Sequence, residues 1–318
     1  MIERAVLKRL KMQKTLVQAV EFIGKGLHSG RIVRLKINPA DSNYGIRFQR
    51  ADQPEASILS ARVENVSSTT LSTTIGDGVS RISTIEHLMA ALSGLEVTNA
   101  LVQVDGPEMP ILDGSSEVFV RELLQAGLRF QDVASECYRV DKVCELRDGD
   151  SWIKVSPSDS FTVDCKIDFE HSSIGEQRYL YKASPEQFLR ISKARTFCYL
   201  NDVERMRSQG LALGGSLDNA IVLNENGVMN QEGLRSNSEF VEHKLLDLIG
   251  DFALLGLPLV GAVEVVRPGH GLHAKFVKML LEGGYLSRTS FQIAGSSFNS
   301  QLNESSSHLS NFALAYPV

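Results

Sequence analysis

Residues 238–256 read SEFVEHKLLDLIGDFALLG. Glu239, His243, Asp247 and Asp251 recur every four positions, so they share one helix face and drift slowly around it. Phe240, Leu245, Leu246, Leu248, Ile249, Phe252, Leu254 and Leu255 cover most of the remaining surface. A helix that is apolar on most sides is a buried one, so the polar stripe belongs in the interior or along a cleft, where carboxylates need partners or a metal. His243 and Asp247, one turn apart, can place an imidazole and a carboxylate on one ion. Zinc accepts both donors, and a catalytic zinc keeps one position open. The competing reading is an ion-pair stripe facing Arg or Lys of a neighbouring element, and the H-x-x-x-D spacing does not choose between them. The order is not H-E-x-x-H, so the zincin motif is absent.

A second polar pair lies in RISTIEHLMAALSGL, residues 81–95. Ser83 and Glu86 fit a capping box, while Ile85, Leu88, Met89 and Leu92 form an apolar stripe at helical spacing, with Gly94 as the stop. His87 points away from that stripe, on the side of Ala90 and Ala91, whose small side chains admit a close neighbour. On local grounds Glu86 caps the helix and His87 faces water. The alternative supplies His87 as a third ligand beside His243 and Asp247, with Glu86 adjacent for proton transfer. A carboxylate cannot easily cap and catalyse at once.

Around these helices the chain reads as strands and short helices. TLVQAVEFIG (15–24), RIVRLKINPA (31–40), IRFQR (46–50) and LVQVDG (101–106) are strand-like, and SSEVFVRELLQAG (115–127) is a helix with Gly127 at C′. From about residue 136 the pattern restarts with strands at YRVDKVCEL, WIKVSP, FTVDCKIDF and QRYLYK. A helix capped by Ser184 and a short one at NDVERMRSQGLA follow, then the strands AIVLN and LVGAVEVV. In RPGHGLH, His270 sits between glycines, which suggests backbone held close to something, and a last helix is expected to begin near His273 or Ala274. His28, His171 and His308 carry no signal beyond loop histidines. A domain boundary near residues 130–136 gives two similar halves, residues 1–133 and 134–318, although no sequence repeat proves it.

The chain has 318 residues, enough for two domains or one large one, with 43% hydrophobic and 22% charged residues. A net charge of -5 gives no support for binding nucleic acid. The four cysteines, Cys137, Cys144, Cys165 and Cys198, lack C-x-x-C spacing and indicate a reducing compartment. The basic N-terminus lacks the apolar core of a secretory signal, and no run approaches the ~18 apolar residues of a membrane span. A cytoplasmic protein without a transmembrane segment is expected. The Ser-rich tail, residues 295–313, is low in complexity.

Six motifs in order, RISTIEHLMAALSGL, PILDGS, ISKARTF, GLALGGSLDNAIV, EFVEHKLLDLIGD and GHGLHAKF, together with TLVQAVEFIGKGLHSG at the start, resemble the zinc-dependent UDP-3-O-acyl-N-acetylglucosamine deacetylases of lipid A biosynthesis. The resemblance runs to about residue 280. It implies an α+β fold of two similar α/β sandwich domains packed face to face, with the active site between their helices. It also implies one catalytic Zn2+ on His87, His243 and Asp247, a donor set that Fe2+ also tolerates. By the same resemblance Glu86 is the general base, His270 the catalytic histidine, Asp251 its orienting carboxylate and Thr196 the oxyanion support. Lys244 holds substrate, and an insert at about 197–224 forms the acyl-chain passage, with Phe197, Tyr199 and Leu200 at its entrance. The implied substrate is a nucleotide sugar bearing an acyl chain, handled by a monomer. Whether Glu86 or His270 protonates the leaving amine stays open.

Overall fold

The computed structural model describes residues 9–293. Two five-stranded sheets organise it. The first contains β1 (Val20–Lys25), β2 (Ile32–Pro39), β3 (Ile46–Arg50), β4 (Leu59–Ser60) and β5 (Ala100–Val104), in the order β1-β2-β5-β3-β4. The second contains β6 (Cys144–Asp148), β7 (Ser151–Ser156), β8 (Thr162–Asp168), β9 (Glu176–Lys182) and β10 (Ala262–Val266), in the order β6-β7-β10-β8-β9. The two orders are the same. In each sheet the last strand in sequence takes the centre, antiparallel to one neighbour and parallel to the other, β5 to β3 and β10 to β8.

A central parallel strand can be reached only by a long crossover, and that crossover carries a helix in each half. Helix α1 (Glu86–Gly94) precedes β5 and α2 (Glu117–Ala126) follows it. Helices α3 (Pro185–Ile191), α4 (Leu200–Ser208) and α5 (Glu239–Phe252) precede β10, and α6 (His270–Glu282) follows it. The structure is thus a mixed α/β fold of two similarly organised sheet-and-helix regions, as expected.

Alternation explains the sheets. Val33, Leu35 and Ile37 of β2 point inward while Ile32, Arg34 and Lys36 point out, and Val163, Cys165 and Ile167 repeat the pattern in β8. Phe119 of α2 meets Phe22 of β1 edge-on at 5.1 Å, seating that helix on the first sheet. Seven of nine residues in α1 are buried, and thirteen of fourteen in α5, all but Lys244. Both helices are interior elements packed against each other, and α5 also touches the second sheet, α3 and α6.

Several local expectations change. The run TLVQAVEFIG is two strands, Met12–Leu16 and β1, and they lie in different sheets. Ser83 does not cap α1: its hydroxyl donates to the Pro107 carbonyl at 3.3 Å, and no side chain caps the helix. Helix α6 begins at His270, not near His273, with Gly269 in extended backbone as its cap position. The glycines beside His270 are not crowded either: a Cβ on Gly269 would meet nothing within 4 Å. Ser184 does cap α3, accepting from Gln187 N at 3.2 Å, and Gly127 ends α2 at φ +79. From residue 197 a small sheet forms, with Phe197–Tyr199 parallel to Ile221–Asn224 and α4 between them. The Ser-rich tail, with His308, falls outside the described residues.

Candidate metal centre and active site

Helix α1 delivers Glu86 and His87 and helix α5 delivers His243, Asp247 and Asp251, so the close packing of the two helices assembles the site. The imidazoles of His87 and His243 stand edge to face, 5.1 Å between centroids. His87 Nε2 lies 3.6 Å from Asp247 Oδ1, and His243 Nε2 lies 3.4 Å from the same oxygen. All three residues are at least 96% buried.

The hydrogen bonding shows which of these atoms could hold a cation. His243 Nδ1 faces the Ala194 carbonyl at 3.1 Å and donates to it. Burial, the largest influence, holds the imidazole neutral, with its pKa lowered to about 3. Its Nε2 therefore carries a lone pair directed at a carboxylate. Asp247 Oδ1 is buried and has no hydrogen-bond partner. Burial opposes its charge, yet the Lys244 ammonium on its other oxygen, Oδ2, keeps Asp247 ionised well below the usual carboxylate range. The His243 lone pair, the His87 imidazole and a carboxylate oxygen without a hydrogen-bond partner converge in a dry interior, which is the donor chemistry of a cation site. The three donors, all within 4.8 Å of one another, fit a divalent metal.

A second carboxylate system adjoins the first. Glu86, 3% exposed, accepts the Thr73 N–H on Oε2 at 3.0 Å, and burial raises its pKa against the influence of His270 and His87. Its Oε1 lies 3.9 Å from His270 Nε2. Asp251 accepts the Thr73 hydroxyl on Oδ1 at 2.5 Å, and on Oδ2 both His270 Nδ1 and His273 Nδ1, each at 2.8 Å. Burial disfavours charge on both Asp251 and His270. Their mutual attraction outweighs it, lowering Asp251 to about 2 and raising His270 to about 10.

The polar stripe of α5 divides at this point. Glu239 takes the ion-pair reading: it is fully buried against Arg195, with Nε to Oε1 at 2.8 Å and Nη2 to Oε2 at 3.2 Å. His243, Asp247 and Asp251 take the site reading. Arg195 belongs to the loop whose Ala194 carbonyl orients His243 and whose next residue is Thr196, so the ion pair fixes that loop. The Thr196 N–H donates to the Gly114 carbonyl at 2.8 Å. Phe197 packs edge-on against His243 at 6.2 Å and under the Lys244 ammonium at 5.4 Å, and Lys244 also bonds Asp247 Oδ2 at 3.0 Å. Tyr199 and Leu200 lie farther along this segment. Tyr199 leans on His171 at 5.6 Å, and His171, held by the Asn224 carbonyl at 2.8 Å, is structural.

Sequence reasoning missed two residues. Thr73 sits in a hydroxyl-rich run, TTLSTT, that gives no local signal. His273 follows His270 by three positions on one helix face, and a helix start placed at His270 reveals the pair.

A buried two-His, one-Asp cluster able to hold a metal, beside an ionised carboxylate–imidazole pair, is the site of a metal-dependent hydrolase. The chain belongs to the UDP-3-O-acyl N-acetylglycosamine deacetylase family, whose model matches residues 13–282. The chain is 45% identical over 271 residues to the UDP-3-O-acyl-N-acetylglucosamine deacetylase of Syntrophus aciditrophicus (strain SB), covering 85% of this chain and 86% of the relative. It is also 45% identical over 275 residues to the protein of that name from Histophilus somni (strain 129Pt), covering 85% and 90%. The counterpart from Vibrio parahaemolyticus is 44% identical over 273 residues.

Proposed function

We propose that this protein hydrolyses the N-acetyl group of UDP-3-O-acyl-N-acetylglucosamine, releasing acetate and UDP-3-O-acyl-glucosamine, an early step of lipid A biosynthesis. The observation that carries the reading is the unpartnered, buried Asp247 Oδ1 between the Nε2 atoms of His87 and His243. These three residues would hold the Zn2+, with Fe2+ as a tolerated substitute. When bound, the ion lowers the pKa of water and polarises the amide carbonyl.

The side chains supply the proton transfers and the orientation. Glu86, held by the Thr73 N–H, takes a proton from the attacking water. The Thr196 hydroxyl donates to the oxyanion that forms at the acetyl carbonyl oxygen as water adds to the carbon. His270, kept as imidazolium by Asp251, donates a proton to the amide nitrogen as the C–N bond breaks. In the alternative route Glu86 returns the proton it took, and His270 acts by its charge alone. Lys244 holds the substrate, and Phe197, Tyr199 and Leu200 line the passage for the acyl chain at the start of the 197–224 insert. The domains are taken as residues 1–133 and 134–318, in a monomer. All four cysteines are free thiols, in keeping with the reducing cytoplasm, and no helix among the described residues is long and apolar enough to cross a membrane.

The test is acetate release by the zinc-loaded protein from the UDP-linked sugar with and without its 3-O-acyl chain. Turnover that needs the metal and drops sharply without the chain supports the reading. Equal rates on both sugars would remove the acyl passage, and no release from either would remove the reaction.

A further inference from the structure

We infer that His273 is a positioning residue for the hydrolysis, acting through Asp251 to fix the imidazole of His270. This rests on the proposed roles of His270 and Asp251 and adds a residue to them.

The geometry is specific. His270 and His273 are three residues apart at the start of α6, so both rings hang from one face above Asp251 of α5. Each presents Nδ1 to the same oxygen, Asp251 Oδ2, at 2.8 Å, while Thr73 takes Oδ1. The carboxylate is thus pinned at both oxygens and cannot rotate about its terminal bond. Without His273, Oδ2 would keep His270 as its sole side-chain donor, and Thr73, which bonds Oδ1 and lies 3.2 Å from His270 Nδ1, would be the pair's one remaining side-chain anchor.

The surroundings of His273 say which form it takes. It is fully buried, its ring stands edge-on to Phe252 at 6.3 Å and to His270 at 6.3 Å, and its Nε2 has no partner. A proton on that nitrogen would be a buried, unsatisfied donor beside an already charged His270. The nitrogen that carries its proton toward a partner is therefore Nδ1, which faces Asp251. Its Nδ1–H gives Asp251 Oδ2 a second hydrogen bond beside that of His270. A histidine serving only to fill space would need no bond to this oxygen.

Two substitutions separate donation from volume. Asn at 273 can place an N–H where Nδ1 lies, whereas Leu fills the space and donates nothing. In the zinc-loaded enzyme, His273→Leu should lower kcat about tenfold, the scale of one hydrogen bond to a charged group, with KM and metal content unchanged. His273→Asn should recover to within about threefold of the parent. Proton NMR gives a readout independent of turnover. The parent should show two far-downfield N–H resonances from imidazoles bonded to the Asp251 carboxylate, distinct from those of His243 and His171, whose acceptors are carbonyls. His273→Leu should lose one and move the other farther downfield, as His270 becomes the only imidazole donor to Oδ2. If both variants match the parent in kcat, or fall equally with the His270 resonance unmoved, His273 is a packing residue and the inference fails. Asp251→Asn provides the reference: if it too leaves kcat intact, the roles given to Asp251 and His270 are what failed.

Discussion

The α-carbon of Gly250 lies directly against the backbone of Glu86: a Cβ at 250 would come within 2.1 Å of the Glu86 carbonyl oxygen. That contact sets how closely α1 and α5 approach, and so how near His87 of one helix comes to His243 and Asp247 of the other. Intrinsic propensity favours Ala over Gly inside a helix by roughly 0.5–1 kcal/mol, but here packing opposes it. Gly250→Ala should therefore destabilise the protein, by about 1–3 kcal/mol as overpacking does, and should weaken metal binding by prising the ligands apart. Urea unfolding together with metal content after dialysis reads both effects. A variant as stable as the parent and fully metallated would show that the helices adjust freely.

Glu86→Gln separates holding from proton transfer. The amide oxygen can still accept the Thr73 N–H, and Gln adds no charge to the ligand set. The fold and metal content should stay at parental levels while kcat falls by roughly 10²–10⁴, the range of general acid–base catalysis. Parental turnover by a metal-loaded variant would take the base role away from Glu86.

How much of this the sequence discloses depends on how local the cause is. Period-2 alternation in residues 31–40 and 161–169 marks β2 and β8, and the four-residue repeat in α5 aligns His243, Asp247 and Asp251. Both signals lie within one element. The matching order of the two sheets is invisible in sequence because it arises from pairings such as Val102 with Phe48 and Val263 with Val163, set by distant segments. The capping box at Ser83 is a true local preference that tertiary contacts override: Glu86 is turned to the Thr73 N–H, and Thr84, at φ +59, takes an uncommon backbone conformation immediately before the helix. Locally His87 reads as a surface residue because the helix that buries it, Glu239–Phe252, is distant in sequence.

The opposed shifts of His270 and Asp251 make the stability of the metal-free protein depend on pH in a defined window. His270 is raised from 6.5 to about 10, so its contribution is complete below pH 6.5 and is lost as pH rises through 10. Asp251 is lowered from 3.8 to about 2, so its contribution is complete above pH 3.8 and is lost as pH falls through 2. Between about pH 4 and 6.5 both are in force. NMR titration should find the His270 ring still charged at pH 8, and Asp251→Asn should bring its titration below that pH, since burial then has less opposition. A parental ring that loses its proton near pH 6.5 would mean that Asp251 does not control it.

Arg195 and Glu239 allow the same logic to be applied to the frame of the site. Arg195 is 2% exposed and Glu239 fully buried. Besides the guanidinium, the Glu239 carboxylate accepts the backbone N–H groups of Arg195 at 3.1 Å and Arg235 at 2.6 Å. Removing one partner leaves a charge in the interior with no counter-ion, so Arg195→Met should cost about 3–5 kcal/mol. Glu239→Gln removes the charge and keeps an acceptor for one of the two N–H groups, which use different oxygens, so the double variant Arg195→Met/Glu239→Gln should regain part of that loss. Because the loop carries Ala194, which orients His243, the single variant should also bind metal more weakly. A urea double-mutant cycle measures the coupling. If the two substitutions prove additive, the ion pair is incidental and the loop is held by its backbone contacts with Gly114 and Ile221.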